Sequence, residues 1–287
     1  MLTDIVDVLL CPHCGGDFAL VGGVLRCPTG HAFDVAREGY VNLLPGGAGG
    51  STADTRAMVR ARHAFLESGH FVPIGEAVVC AAHDVLSDDV KGVFLDAGAG
   101  TGFVLRALLE ATPSRTGVAL DISKHAMRIA ARSHDRIGAF VADVWAPLPL
   151  RDGCAALVLN VFAPRNAAEF ARVLTPGGAL LVVTPRDEHL IELVEPLGLV
   201  TVDPRKRERL SAKLDPFFEH VAERIVSGRI ELSHADAMAA VSMGPSAVHV
   251  SAEQITTRMR TLSDPVAVTL SVTVDTYRPR LVRGAIS

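Results

Sequence analysis

The chain has 287 residues, 49% of them hydrophobic and 21% charged, with a formal net charge of -4 at pH 7. That is enough apolar material for a sizeable core, excludes a disordered chain, and at this length suggests one large domain with a small appendage. No apolar run reaches the ~20 residues of a bilayer span, and the charge is no nucleic-acid signature by itself, so any RNA contact has to come from local basic patches.

The first ten residues, MLTDIVDVLL, carry two aspartates where a secretory signal would be basic. Five cysteines, three of them clustered, fit a reducing compartment better than a disulfide framework, and a cytoplasmic protein is expected. The cluster reads Cys11-x2-Cys14, twelve residues, then Cys27-x3-His31. Two short knuckles joined by a loop can turn three thiolates and an imidazole onto one zinc ion, and four protein ligands make such a site structural. The bland alternative is a chance group of buried thiols; His13, inside the first knuckle, is a less regular competitor. Cys80 and Cys154, in apolar surroundings, read as buried core thiols.

Glycine-rich PGGAGG, residues 45–50, reads as a linker, dividing the chain into a zinc module (1–44), a linker (45–53) and a large domain (54–287). Apolar spacing predicts helices over 54–68, closed by Gly69, and over 73–86. From residue 93 short apolar strands alternate with helices: VFLDAG, TGVALD, AFVAD, AALVLNV and, after a TPGG turn, ALLVVTP, followed by a helix over about 188–197. This alternation predicts an α/β, doubly wound, mostly parallel sheet. Two β-rich runs near 221–232 and 266–277, around the helical stretch DAMAAVSMG, suggest an antiparallel hairpin at one sheet edge.

Candidate ligand-binding residues lie at the strand ends. VFLDAGAGTGF puts Asp96, Gly98, Gly100 and Gly102 at a strand-to-helix junction, where glycines admit close backbone approach and the helix N-terminus offers unpaired N–H groups. The loop alone fits several nucleotide-like cofactors. Asp121, ending the second strand, suits ribose hydroxyls; Asp143, ending the third, suits an adenine amino group. With VLTPGGALLVV the ordered set resembles class I S-adenosylmethionine-dependent methyltransferases, which implies a Rossmann-like, seven-stranded, mostly parallel sheet.

Over nearly the whole chain, CPHC, FDVAREGYVNLL, ARHAFLESGHF, LDAGAGTG, LNVFAPRN, LTPGGALLVVTP and SMGPS resemble the 23S rRNA guanine-N1 methyltransferases, and look closest to the tylosin-resistance type. The resemblance implies a zinc-ribbon-like module, a homodimer, a 23S rRNA hairpin loop as substrate, and a guanine(748)-N1 reaction linked to macrolide resistance. It implies zinc ligation by Cys11, Cys14, Cys27 and His31, and cofactor contacts from Phe71, Gly100, Thr101 and His189. Ala247 and Val248 stand where relatives are expected to carry an aromatic residue.

Within NVFAPRN, Asn160 is a candidate for the guanine edge and Phe162 or Pro164 for its face; His70 is a candidate base. The run DPRKRERLSAK, with Arg205, Lys206 and Arg207, offers phosphate contacts, as do Arg56, Arg60 and Arg62, with Arg26 and Arg37 added from the zinc module. Alternatives are a small-molecule methyltransferase and a non-catalytic zinc- and RNA-binding module on the same fold.

Overall fold

The computed structural model describes residues 1–45, 54–199, 212–243 and 251–280. Arg205, Lys206 and Arg207, Ala247 and Val248, and most of the glycine-rich linker lie outside the described residues. The N-terminal region carries β1 (Ala19–Val21), β2 (Val24–Arg26) and β3 (Ala32–Asp34) as an antiparallel three-stranded sheet, followed by β4 (Tyr40–Asn42). Then come α1 (Arg56–Glu67), α2 (Val72–Val85), β5 (Val93–Ala97), α3 (Phe103–Ala111), β6 (Gly117–Asp121), α4 (Lys124–Ser133) and β7 (Ile137–Val141). The chain continues through β8 (Ala155–Val161), α5 (Ala167–Val173), β9 (Leu174–Pro185), α6 (Ile191–Leu197), β10 (Phe218–Leu232), α7 (His234–Ser242), α8 (Ala252–Met259) and β11 (Val266–Pro279).

Local chemistry marks the ends. Thr55 accepts from the Met58 N–H to cap α1, Ser123 caps α4 and Ser251 with Gln254 forms a capping box on α8. The helix expected from residue 188 starts instead at Ile191. Leu190 adopts a left-handed φ of 54° and donates its N–H to the Thr269 carbonyl (2.8 Å), which fixes the chain to β11 before the helix can begin.

The large sheet runs β10-β11-β9-β8-β5-β6-β7-β4. β9, β8, β5, β6, β7 and β4 are parallel; β11 is antiparallel to β9, and β10 to β11, giving the expected edge hairpin. β5 and β7 are buried along their whole length, as a parallel sheet covered on both faces requires. Eight strands replace the expected seven because β4 pairs with β7, Val41 opposite Phe140.

Two hydrophobic layers cover the sheet. One face carries α1–α4 and α6–α8. On the other, α5 shares a layer with Leu2, Ile5, Leu9, Leu25 and Leu43, which pack with Val118, Leu120, Phe140 and Leu150. Contact is close at Gly138, where a Cβ would lie 2.5 Å from Cδ1 of Ile5. The join is also polar: Leu10 donates to the Pro149 carbonyl (2.9 Å), Arg151 to that of Val8 (3.0 Å), and Arg151 forms an ion pair with Asp17 (2.5 Å). Cys154 is buried as expected, but Cys80 is exposed.

Candidate functional site

The metal centre is built by two turns. In the first, Gly15 donates to the Cys11 carbonyl (2.8 Å) and Cys11 to that of Gly16 (2.8 Å); in the second, Gly30 donates to the Cys27 carbonyl (3.0 Å). Gly15 and Gly30 take φ of 68° and 94°, the left-handed region open to glycine. The four ligand atoms of Cys11, Cys14, Cys27 and His31 lie within 4.8 Å of one another. Tetrahedral zinc with Zn–S bonds near 2.3 Å requires sulfurs about 3.8 Å apart. Cys14 and Cys27 Sγ are 3.6 Å apart, and His31 Nδ1 is 3.5 Å from Cys11 Sγ and 3.4 Å from Cys27 Sγ, so the donor set fits zinc. Burial pushes the Cys27 thiol up, but hydrogen bonds from Thr29, Cys14 and His31 outweigh it and bring it down to about 5, favouring the ligating thiolate. His13 is not in the set; its ring packs against His31 and Phe33.

The second site is a cavity of about 870 Å³ at the strand C-termini, beside the paired strands β5 and β8, whose following helices α3 and α5 pack on opposite faces of the sheet. Open α/β sheets bind ligands at such switch points, and the volume is at the upper end of the ~300–1,000 Å³ usual for ligand sites. Phe71, Asp96, Gly98, Gly100, Thr101, Asp121, Asp143 and His189 all line it, so every expected cofactor contact converges here.

Their geometry suits an adenosyl amino-acid ligand. Asp96 is 1% exposed and its Oδ1 has no hydrogen-bond partner; burial, then the charge of Asp121, pushes its carboxyl up to about 8. Gly98 has φ of 86°, and a Cβ there would meet that of Ala163 at 2.5 Å, so glycine lets the β5 loop and the loop after β8 close together. Asp121 accepts from the N–H groups of Gly100 (2.9 Å) and Ser123 (2.8 Å), and Asp143 from that of Trp145 (2.9 Å). A carboxylate has about four acceptor positions, so each keeps capacity for a ligand. Thr101, 3% exposed, has an unpartnered Oγ1. Buried polar atoms left without a partner are costly, and here they mark a site shaped for one.

The far wall is aromatic. Phe71, Phe162 and His189 form a triangle with ring centroids 5.9–6.3 Å apart, and Phe162 lies near-parallel to His189 (18°). Phe162 is 45% exposed and takes φ of 53°, unusual for a bulky side chain. His189 Nδ1 accepts from the Ser271 N–H (3.2 Å), which leaves the ring proton on Nε2, and burial pushes its pKa down to about 4. It is therefore a neutral donor near pH 7.

Two expected roles are corrected. Asn160 is fully buried and does not line the cavity; its Nδ2 donates to the carbonyls of Ala97 (3.1 Å) and Pro164 (2.7 Å), holding the β8 loop instead of facing a base. His70 also lies off the cavity, with Nε2 3.2 Å from Asp236 Oδ2, which ties the α1–α2 turn to α7. Arg62 turns inward to the cavity and pairs with Asp54. Arg26 and Arg37 are exposed on the zinc module.

Three cavity residues carried no sequence signal. Trp145 stands at the rim, 59% exposed, with Lys213 Nζ 6.0 Å from its ring centre. Arg165 is 9% exposed with Nε unpartnered, and Thr273, fully buried, has an unpartnered Oγ1.

Residues 9–51 match the family described as RlmA, N-terminal, and residues 94–178 the Methyltransferase domain family. The chain is 45% identical to the 23S rRNA (guanine(748)-N(1))-methyltransferase of Streptomyces fradiae over 97% of this chain and 99% of that protein. It is 45% identical to a provisionally named 23S rRNA (guanine-N(1)-)-methyltransferase of Micromonospora griseorubida, over 97% and 100%. A provisionally named protein of the same description from Bacillus subtilis, YxjB, is 34% identical over 74% of this chain and 76% of its own length.

Proposed function

Because the chain belongs to the family of 23S rRNA (guanine-N1)-methyltransferases, we propose that its cavity methylates N1 of a hairpin-loop guanine in 23S rRNA, as in the guanine(748) reaction. The observation that carries the reading is one cavity with strand-end carboxylates, Asp96 buried and Asp121 and Asp143 half-buried, on one wall and an aromatic triangle on the other. The first wall suits S-adenosylmethionine, the second an unstacked base.

Bound S-adenosylmethionine supplies an electrophilic methyl group on a sulfonium. Asp121 would hold the ribose and Asp143 the adenine amino group, while Asp96, Gly98, Gly100 and Thr101 would cradle the amino-acid end. Phe71 and Phe162 would pack on the donor and the flipped guanine and so orient the base toward the methyl group; positioning of this kind supplies most of the acceleration. His189 donates from Nε2 and does not take the N1 proton, because its acceptor nitrogen is already bonded to Ser271.

The zinc centre holds the N-terminal module rigid, and Arg26 and Arg37 contact RNA phosphates from it, with Arg205, Lys206 and Arg207 as further contacts. A homodimer, a cytoplasmic setting and a role in macrolide resistance belong to the same reading. Unmodified 23S rRNA incubated with labelled S-adenosylmethionine should yield a product that stops primer extension at one hairpin guanine, since N1 methylation blocks pairing. Label on a small molecule with no RNA stop would favour the small-molecule alternative; salt-sensitive RNA binding without transfer would favour the non-catalytic one.

A further inference from the structure

Arg165 lines the cavity immediately after the β8 loop, and its guanidinium presents a problem of charge. The residue is 9% exposed, its Nε has no hydrogen-bond partner, and among the described residues no carboxylate lies within 4 Å of it in an ion pair. A buried cation without a partner is strongly unfavourable unless a ligand supplies one. Asp275 on β11 acts on the guanidinium only through its field, without forming an ion pair with it, and is bonded to His220 (2.9 Å). Thr273 lies two residues before Asp275 on the same strand face and also lines the cavity with an unpartnered hydroxyl. Two unsatisfied polar groups thus meet the cavity at the β8–β11 side, away from the β6 and β7 ends that carry Asp121 and Asp143.

We infer that Arg165 is a catalytic residue that donates hydrogen bonds to O6 of the target guanine and stabilises the negative charge that loss of the N1 proton places there before methyl transfer. The inference rests on the proposed guanine-N1 reaction. Guanine N1 carries a proton, which leaves to water at the cavity mouth. The N1 lone pair forms the new N–C bond as the S–C bond breaks and its electron pair stays on sulfur. When the proton departs ahead of the methyl transfer, negative charge is shared between N1 and O6, and a desolvated guanidinium at O6 opposes it with no reorganisation. The same contact selects guanine over adenine, whose 6-amino group is a donor and would leave Arg165 unpaired.

The test uses the full-length zinc-loaded protein, labelled S-adenosylmethionine and a 23S rRNA hairpin transcript. Wild-type product at a hairpin guanine checks the parent reaction; its absence refutes that reaction and with it the ligand assigned to Arg165. Arg165→Met should slow single-turnover transfer by about 10²–10³-fold, leave S-adenosylhomocysteine affinity unchanged, and raise the melting temperature of the ligand-free protein by at least ~2–4 °C, because a buried unpaired charge is gone. With 6-thioguanosine at the target, whose N1–H is more acidic and whose sulfur accepts hydrogen bonds weakly, the gap between wild type and variant should shrink. A wild-type rate in Arg165→Met, a matching loss of S-adenosylhomocysteine affinity, a lowered melting temperature, or an undiminished gap with 6-thioguanosine would each overturn the assignment.

Discussion

Ile5 and Gly138 form a knob and a socket between the N-terminal segment and the central sheet, and exchanging their volumes has a calculable result. Ile5 is fully buried, and its Cδ1 and Cγ1 each lie 2.5 Å from where a Cβ on Gly138 would stand. Ile5→Ala removes the side chain beyond Cβ from a site that β7 and β4 cannot close over, at a cost of about 2–5 kcal/mol. Gly138→Ala alone forces a methyl into occupied space and costs about 1–3 kcal/mol, less the few tenths a strand gains from alanine. In the double variant the new methyl enters the space that Ile5 vacated. The pair should therefore be less destabilised than the sum by at least ~1 kcal/mol, the scale of coupling for residues in direct contact. Denaturant unfolding followed by far-UV circular dichroism and by zinc release measures the cycle, and the two probes should coincide because Ile5 belongs to the layer that covers the sheet. Additive effects, or a variant that loses the zinc module while the sheet unfolds at the wild-type midpoint, would refute this packing.

Other outcomes follow from the two sites and the β8 loop. The protein should bind one zinc ion per chain, and Cys27→Ser should lose most of it, measured by metal analysis against free-thiol titration; full retention would count against the ligand set. The raised Asp96 carboxyl keeps its proton in the folded state to about pH 8, whereas the unfolded chain loses it near pH 4, so this group lowers stability progressively as pH rises between those values, by at most ~1.4 kcal/mol per pH unit. Asp96→Asn should flatten that slope in thermal melts of the ligand-free protein. Asp96→Ala should weaken S-adenosylhomocysteine binding at least ~10-fold, because the ligand's ammonium group favours the ionised carboxyl and bonds to it, as equilibrium dialysis would reveal. Asn160→Ala leaves the carbonyls of Ala97 and Pro164 without their donor and should cost about 1–3 kcal/mol, visible as a lowered midpoint; an unchanged midpoint would mean that the amide does not hold the loop.

Periodic features were readable from the chain alone. The parallel strands from Val93 to Pro185 announce themselves as short apolar runs, and the glycines of the β5 loop and the two metal knuckles carry local geometry in their spacing. β4 was not readable, because three residues next to a glycine-rich stretch have no period of their own and become a strand through pairing with β7. Asn160 misled for a related reason. Its position at a strand end suggests a ligand contact, but whether the side chain looks into the cavity or back at Ala97 depends on the loop that Pro164 closes. His70 likewise finds Asp236, 166 residues away, a partner no local pattern encodes. Arg165 follows an ordinary turn, and only the burial of its side chain without a counterion sets it apart.

The eighth strand also bears on how the protein is made. Synthesis runs from the N-terminus, so Tyr40–Asn42 leaves the ribosome about 100 residues before Ile137–Val141, an interval of ~5–20 s at about 5–20 residues per second. Through that time β4 has only its local bridge to Val35 and the Ala36 N–H, its edge toward β7 is unpaired, and Ile5 and Val41 have no sheet to cover them. The contacts that close early are the local ones among Cys11, Cys14, Cys27 and His31, within 21 residues of each other. The metal site is thus complete in sequence before the sheet that it packs against, and zinc would order the arm while its apolar face still waits for β7.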